Sequence, residues 1–132
     1  MFLLTVVSFC DTPGPTRIVI KTPYADLIWY HSLQDSLGNP EIPYFYIVYS
    51  SPYPPVKPVP IDTCFFLPTQ SHPFTIILPP YKLITIFVSA VDSALNESSL
   101  LSSTDPKNEL GGWYIYHDAI PPKAPAAFAI VR

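Results

Sequence analysis

Apolar side chains recur at every second position in several short runs of this chain, and prolines or polar clusters separate the runs. Successive side chains of an extended strand point to opposite faces, so a period of two places alternate residues together on one face. The clearest example lies between residues 74 and 91. Phe74, Ile76 and Leu78 alternate, Pro79-Pro80 interrupts, and Ile84, Ile86, Val88 and Ala90 alternate again. Neither proline can donate to a ladder, so the pattern predicts strand, corner, strand. Each of these strands has an apolar face that requires a second sheet to cover it.

Upstream, Thr16 to Lys21 and Asp26 to Tyr30 predict two further strands, the second with Leu27 and Trp29 inward. A tryptophan at that spacing is read as core, because of the apolar area it can bury. Residues 31–43 are a polar loop with its turn at Gly38-Asn39-Pro40. Tyr44 to Ser51 predicts a strand with Phe45, Ile47 and Tyr49 inward, which leaves Tyr44, Tyr46 and Val48 as a candidate contact face. The stretch PYPPVKPVP at 52–60 has the composition of polyproline II; proline belongs on sheet edges, which favours a stiff edge connection over an SH3-type ligand. Phe65-Phe66-Leu67 is expected to pack beneath that connection. Residues 104–112 are turn-rich, and Trp113-Tyr114-Ile115-Tyr116 is a compact aromatic strand candidate.

Both ends are apolar. Met1 to Cys10 (MFLLTVVSFC) is too short to cross a bilayer, which takes about 20 residues, and it lacks a basic n-region and an A-x-A-like cleavage site. It reads as a strand, with Phe2, Leu4 and Val6 on one face. Ala126 to Val131, with Phe128 and Ile130 on one face, is a second unmatched strand candidate. Prolines bound both arms on the side facing the domain. At least one of them is expected to gain backbone hydrogen bonds by adding to a sheet edge in an adjacent subunit, the alternative being that each arm folds back on its own sandwich.

Several of these runs resemble the fibronectin type III family. Ala25-x-Leu27-x-Trp29 is similar to its B strand, Gly38 to Ile42 with Phe45-x-Ile47-x-Tyr49 to its turn and C strand, and Leu78-Pro79-Pro80, Ile84 to Asp92 and Asn96-Glu97-Ser98 to its E, F and G region. The resemblance covers roughly residues 13–104. It implies an all-β, fibronectin type III-like or immunoglobulin-like β-sandwich with N- and C-terminal strand extensions, at residues 1–12 and 105–132. The core it implies comprises Leu27, Trp29, Phe45, Ile47, Ile76, Ile86 and Val88. One departure concerns the family's corner tyrosine: Ile84 stands in its place, and only Tyr81 is near enough to substitute.

Composition narrows the function. The chain has 132 residues, 48% hydrophobic and 13% charged, against about 25% charged in ordinary soluble domains. So few charges favour an outer surface covered partly by copies of the chain or by partners. The net charge of −3 includes no run of like charges, which argues against nucleic-acid binding. Eighteen prolines against four glycines stiffen connections and blunt sheet edges, the character of a virion or extracellular module.

No constellation for chemistry emerges. His31, His72 and His117 are far apart, and neither Cys10 nor Cys64 has a CxxC partner, so no metal site is assigned. Cys10 and Cys64 permit a single intrachain disulfide, and their spacing does not decide between a bridge and two thiols. No G-x-S-x-G context, paired carboxylates or glycine-rich phosphate loop is present, so no catalytic residue and no cofactor is assigned. Asn96-Glu97-Ser98 fits a glycosylation acceptor as well as the family's loop. The expectation is a non-enzymatic structural subunit of a virion or extracellular filament, whose partners are copies of itself or components of one assembly. Its candidate contacts are Phe2, Leu4, Val6, Tyr44, Tyr46, Trp113, Tyr114, Phe128 and Ile130. The alternative is a secreted or cell-surface adhesion module that binds a ligand through loops at 31–43 or 92–98.

Overall fold

A computed structural model describes residues 14–132. Within them the chain forms eight strands: β1 (Thr16–Ile20), β2 (Tyr24–Tyr30), β3 (Phe45–Pro52), β4 (Val59–Phe65), β5 (Ser71–Ile77), β6 (Leu83–Val91), β7 (Leu101–Ser102) and β8 (Trp113–His117). The larger sheet has the order β1-β8-β6-β3-β4 with β7 also on β6, and the smaller consists of β2 and β5. β1 runs parallel to β8, and every other pair is antiparallel. This is an all-β, immunoglobulin-like sandwich.

The alternation that predicts the strands also builds the core. In β2, Ala25, Leu27 and Trp29 are buried while Tyr24, Asp26, Ile28 and Tyr30 are exposed. They meet Ile76 and Leu78 from the same layer and Ile84, Ile86 and Ile115 from the large sheet, with Val88 and Ala90 packed at the margin. Leu27, Trp29, Ile76, Ile86 and Val88 thus lie where their spacing puts them.

Strand β3 is inverted relative to the expectation. Tyr46 and Val48 are buried in the core, and Phe45, Ile47 and Tyr49 are half-buried on the opposite face. All five residues are apolar or aromatic, so burial alone does not fix which face turns inward. The cross-strand partners do: Tyr46 lies opposite Ala90 and Val48 opposite Val88, and the Tyr46 hydroxyl hydrogen-bonds with His31 Nδ1 inside the layer. A one-residue change of parity exchanges the two faces of a strand completely.

The sandwich also continues beyond residue 104. β8 joins both β1 and β6, with Ile115 buried and Trp113 packed against the core. It is therefore a sheet strand, and only the chain after His117 leaves the sandwich. The turn that makes this possible is at Gly112, whose φ is +91° and whose Cα stands so close to Thr104 that a Cβ would lie 2.4 Å from its carbonyl oxygen. Between Thr104 and Gly112 lies a single 3₁₀ turn, Glu109–Gly111.

Three smaller expectations change. The proline-rich stretch ends earlier than composition implies, because Val59–Phe65 pairs with β3 as an edge strand. Of Phe65-Phe66-Leu67, only Phe66 packs against the core. Tyr81 is exposed and anchors the corner through its backbone, its N–H donating to His117 O at 2.9 Å.

Candidate functional site

The small sheet has only two strands, so among the described residues both of its edges are unpaired. The register shows which backbone groups face outward. Leu78 N–H donates to Pro23 O at 2.9 Å, which makes that pair a bonded one. Antiparallel ladders alternate, so the bonded pairs continue as Ala25 with Ile76, Leu27 with Phe74 and Trp29 with His72. The N–H and C=O groups of Tyr24, Asp26, Ile28 and Tyr30 consequently point to the free edge of β2, and those of Ser71, Pro73, Thr75 and Ile77 to the free edge of β5. Pro73 has no N–H to offer there. Its position, opposite Ile28 in an unbonded pair, is the one that proline tolerates in a strand.

A groove of about 490 Å³ runs beside the β2 edge, between the two sheets, with Ile18, Leu27, Trp29, Trp113 and Ile115 among its walls. Asn108, Glu109 and Leu110 also line it. A second groove, of about 450 Å³, follows the β5 edge and includes Asp62, Ser50 and Thr75 in its lining. The outer face of the small sheet is aromatic and apolar as well: Tyr30 and Ile77 are 73% and 76% exposed, and Thr75 Oγ1 donates to Asp26 Oδ1 across the strands at 2.6 Å.

The expected contact residues divide into groups. Phe2, Leu4 and Val6, together with Cys10, lie outside the described residues. Tyr46 belongs to the core and is withdrawn as a contact residue. Tyr44 is exposed, its ring packing on Phe45 and Phe65. Trp113 lines the β2 groove from inside, whereas Tyr114 faces the other way and stacks on Tyr53 with centroids 3.8 Å apart. Phe128 and Ile130 are 104% and 82% exposed. They do not form a strand, and residues 118–132 have no sheet partner among the described residues.

Two loops share a design that the sequence holds in plain view, Asp-Ser-x-x-Asn at 35–39 and again at 92–96. Asp35 Oδ1 accepts the N–H groups of Leu37 and Asn39, and Asp92 Oδ1 accepts those of Ala94 and Asn96. These backbone donors, Asn39 N–H first for Asp35 and Asn96 N–H first for Asp92, hold both carboxyls below the usual range. In both, the fourth residue has positive φ, +86° at Gly38 and +68° at Leu95. Glu41 is pushed upward, by desolvation and then by repulsion from Asp92 and Asp35. Repeated side-chain acceptors would have flagged these loops; alternating hydrophobicity says nothing about them.

Inside the sandwich, His72 stacks on Trp29 while Tyr46 and His31 pack edgewise around it. His72 Nε2 bonds with Phe65 O at 3.0 Å. Burial, with Asp62 nearby, pushes the Cys64 thiol up to about 11, far from the range of a reactive thiolate. On the large sheet's outer face, Glu97 accepts hydrogen bonds from Ser89 and Tyr49; Ser89 and then Tyr49 lower its carboxyl, and Glu97 in turn raises the Tyr49 phenol. Among the described residues no three His, Cys, Asp or Glu side chains gather as a metal site, and no helix is long and apolar enough to cross a membrane.

Comparison with family models, curated proteins and solved structures finds no match to this chain.

Proposed function

We propose that this chain is a fibronectin type III-like module with a non-enzymatic, structural role, assembling with copies of itself or with other components of a virion or extracellular filament. The observation that carries this reading is the small sheet, unpaired among the described residues: an open strand edge runs beside a groove with apolar walls while an apolar segment of the same chain stands in solvent. Exposed strand edges are templates for pairing with another chain, and strand addition combines backbone hydrogen bonds with side-chain pockets. The pairing of β2 with β5 and of β3 with β6 supports this reading, since they correspond to the B, E, C and F strands of the resemblance, while β1 lies on the other sheet beside β8. The low charged fraction supports contact with partners over much of the surface.

The alternative, a recognition module that binds through its loops, draws on the matched Asp35 and Asp92 loops. Those loops satisfy their own polar groups internally, which leaves fewer groups for a ligand. Size-exclusion chromatography with light scattering separates the two. A structural subunit gives concentration-dependent species larger than 14.8 kDa; a monomer that persists throughout the micromolar range contradicts it.

A further inference from the structure

We infer that the edge of β2, unpaired among the described residues, is an acceptor for the C-terminal segment 126–131 of a second copy, so that subunits join head to tail. This rests on the assembly reading above and assigns it a donor and an acceptor.

The two edges of the small sheet are not equivalent. On β5, the outward-facing position at Pro73 lacks an N–H, and Pro79-Pro80 follows the strand; prolines so placed blunt an edge. On β2, Tyr24, Asp26, Ile28 and Tyr30 all keep an outward N–H, the Tyr24 C=O already accepting from Thr22 Oγ1 at 3.0 Å, and the accompanying groove has Leu27, Trp29, Ile18 and Ile115 in its lining. The edge of β2 thus offers the fuller row of outward N–H donors, beside a groove with apolar walls.

The segment 126–131 fits it. Extended, its six residues span about 20 Å, close to the length of the seven-residue β2. Phe128 and Ile130 share one face and can enter the groove, while Ala127 and Ala129 on the other are small enough to lie level with the exposed face of β2. The tail leaves the sandwich next to β1. Asp118 is fixed beside Ile20, its N–H donating to Ile20 O at 2.9 Å and its carboxylate pairing with Lys21 at 2.9 Å. Pro121, Pro122 and Pro125 follow, and among the described residues no backbone hydrogen bond turns 121–132 back. A donor that enters the acceptor of the next molecule makes a heterologous contact, which extends as an open filament unless its rotation closes a ring.

Two full-length variants test this. Phe128→Asp with Ile130→Asp disables the donor, and Ile28→Pro removes an outward N–H from the acceptor without removing a β2 to β5 ladder bond. Wild type should sediment as a concentration-dependent series and each variant as a monomer. An equimolar mixture of the two variants should give a dimer and nothing larger, because one has a working groove and the other a working tail. Should Ile28→Pro fail to fold, a labelled peptide of residues 124–132 titrated onto the F128D/I130D chain provides the second readout, with saturable 1:1 binding expected. A mixture that stays monomeric, or a peptide that does not bind, overturns the assignment. Assembly that survives F128D/I130D, or that is lost only when residues 1–10 are deleted, overturns it while leaving the assembly reading standing. A monomeric wild type overturns both.

Discussion

The imidazole of His72 lies flat on the indole of Trp29, with centroids 4.9 Å apart and ring planes 3° from parallel. The two residues face one another across β2 and β5, so this stack ties the small sheet together where it meets Tyr46 of the large one. Trp29→Ala removes the centre of that cluster. Aromatic truncations in cores cost about 3–5 kcal/mol, a large part of the roughly 5–15 kcal/mol that holds a domain folded. Urea denaturation should show the variant largely unfolded, and a native midpoint would place Trp29 outside the core.

Gly112 should be irreplaceable for a backbone reason. Its φ of +91° and the 2.4 Å approach of a Cβ to Thr104 O mean that alanine must shift the turn that delivers β8 to β1. Gly112→Ala is expected to cost about 2 kcal/mol or more, from the left-handed strain and the backbone clash together. Gly38→Ala, at φ +86° with open space around it, should cost only about 1 kcal/mol. Equal losses in a denaturant titration would contradict the close approach.

Leu95 holds the position that glycine holds in the matched loop, at φ +68° and largely exposed. A left-handed conformation costs a branched side chain about 1–2 kcal/mol, and glycine gives back part of that through its unfolded-state entropy. Leu95→Gly should therefore stabilise by roughly 0.5 kcal/mol. A loss of stability in thermal unfolding would show that the Leu95 side chain contributes packing.

Acid should loosen the two aspartate loops. Asp35 and Asp92 are held below their ordinary range by backbone N–H donors, so their contribution is present above the unfolded value of about 3.9 and is lost as pH falls through the folded one. Glu41 has the opposite sign, since its raised carboxyl favours the fold below its unfolded value and loses that contribution as pH rises through the folded one. The urea midpoint of the wild type should fall below about pH 4, and an Asp35→Asn, Asp92→Asn chain should fall less steeply there. Parallel curves would remove these loops from the acid response.

Much of this fold is legible in the sequence where one face of a strand is polar. Leu27 and Trp29 are placed by Tyr24, Asp26 and Tyr30 on the alternate positions of the same strand, and Ile84 and Ile86 by a run long enough to fix its parity. Phe45 to Tyr49 is apolar on both faces, and there the choice belongs to the partners, Ala90, Val88 and His31, which alternation cannot report. β4 escapes notice because its prolines resemble a linker, and the place of β8 in the sandwich because Gly112 returns the chain after a polar interval. The open edge of β2 is legible only once β1 is seen on the other sheet, beside β8.

The most direct test of the assembly account is amide hydrogen exchange of β2 as a function of protein concentration, with the β3 and β6 amides as internal reference. Asp26, Ile28 and Tyr30 have N–H groups on the open edge, so they should exchange quickly in dilute monomer and become protected as the chain assembles, while Leu27 and Trp29, bonded to β5 throughout, change little. Assembly that leaves Asp26, Ile28 and Tyr30 as fast as in the monomer would contradict the account.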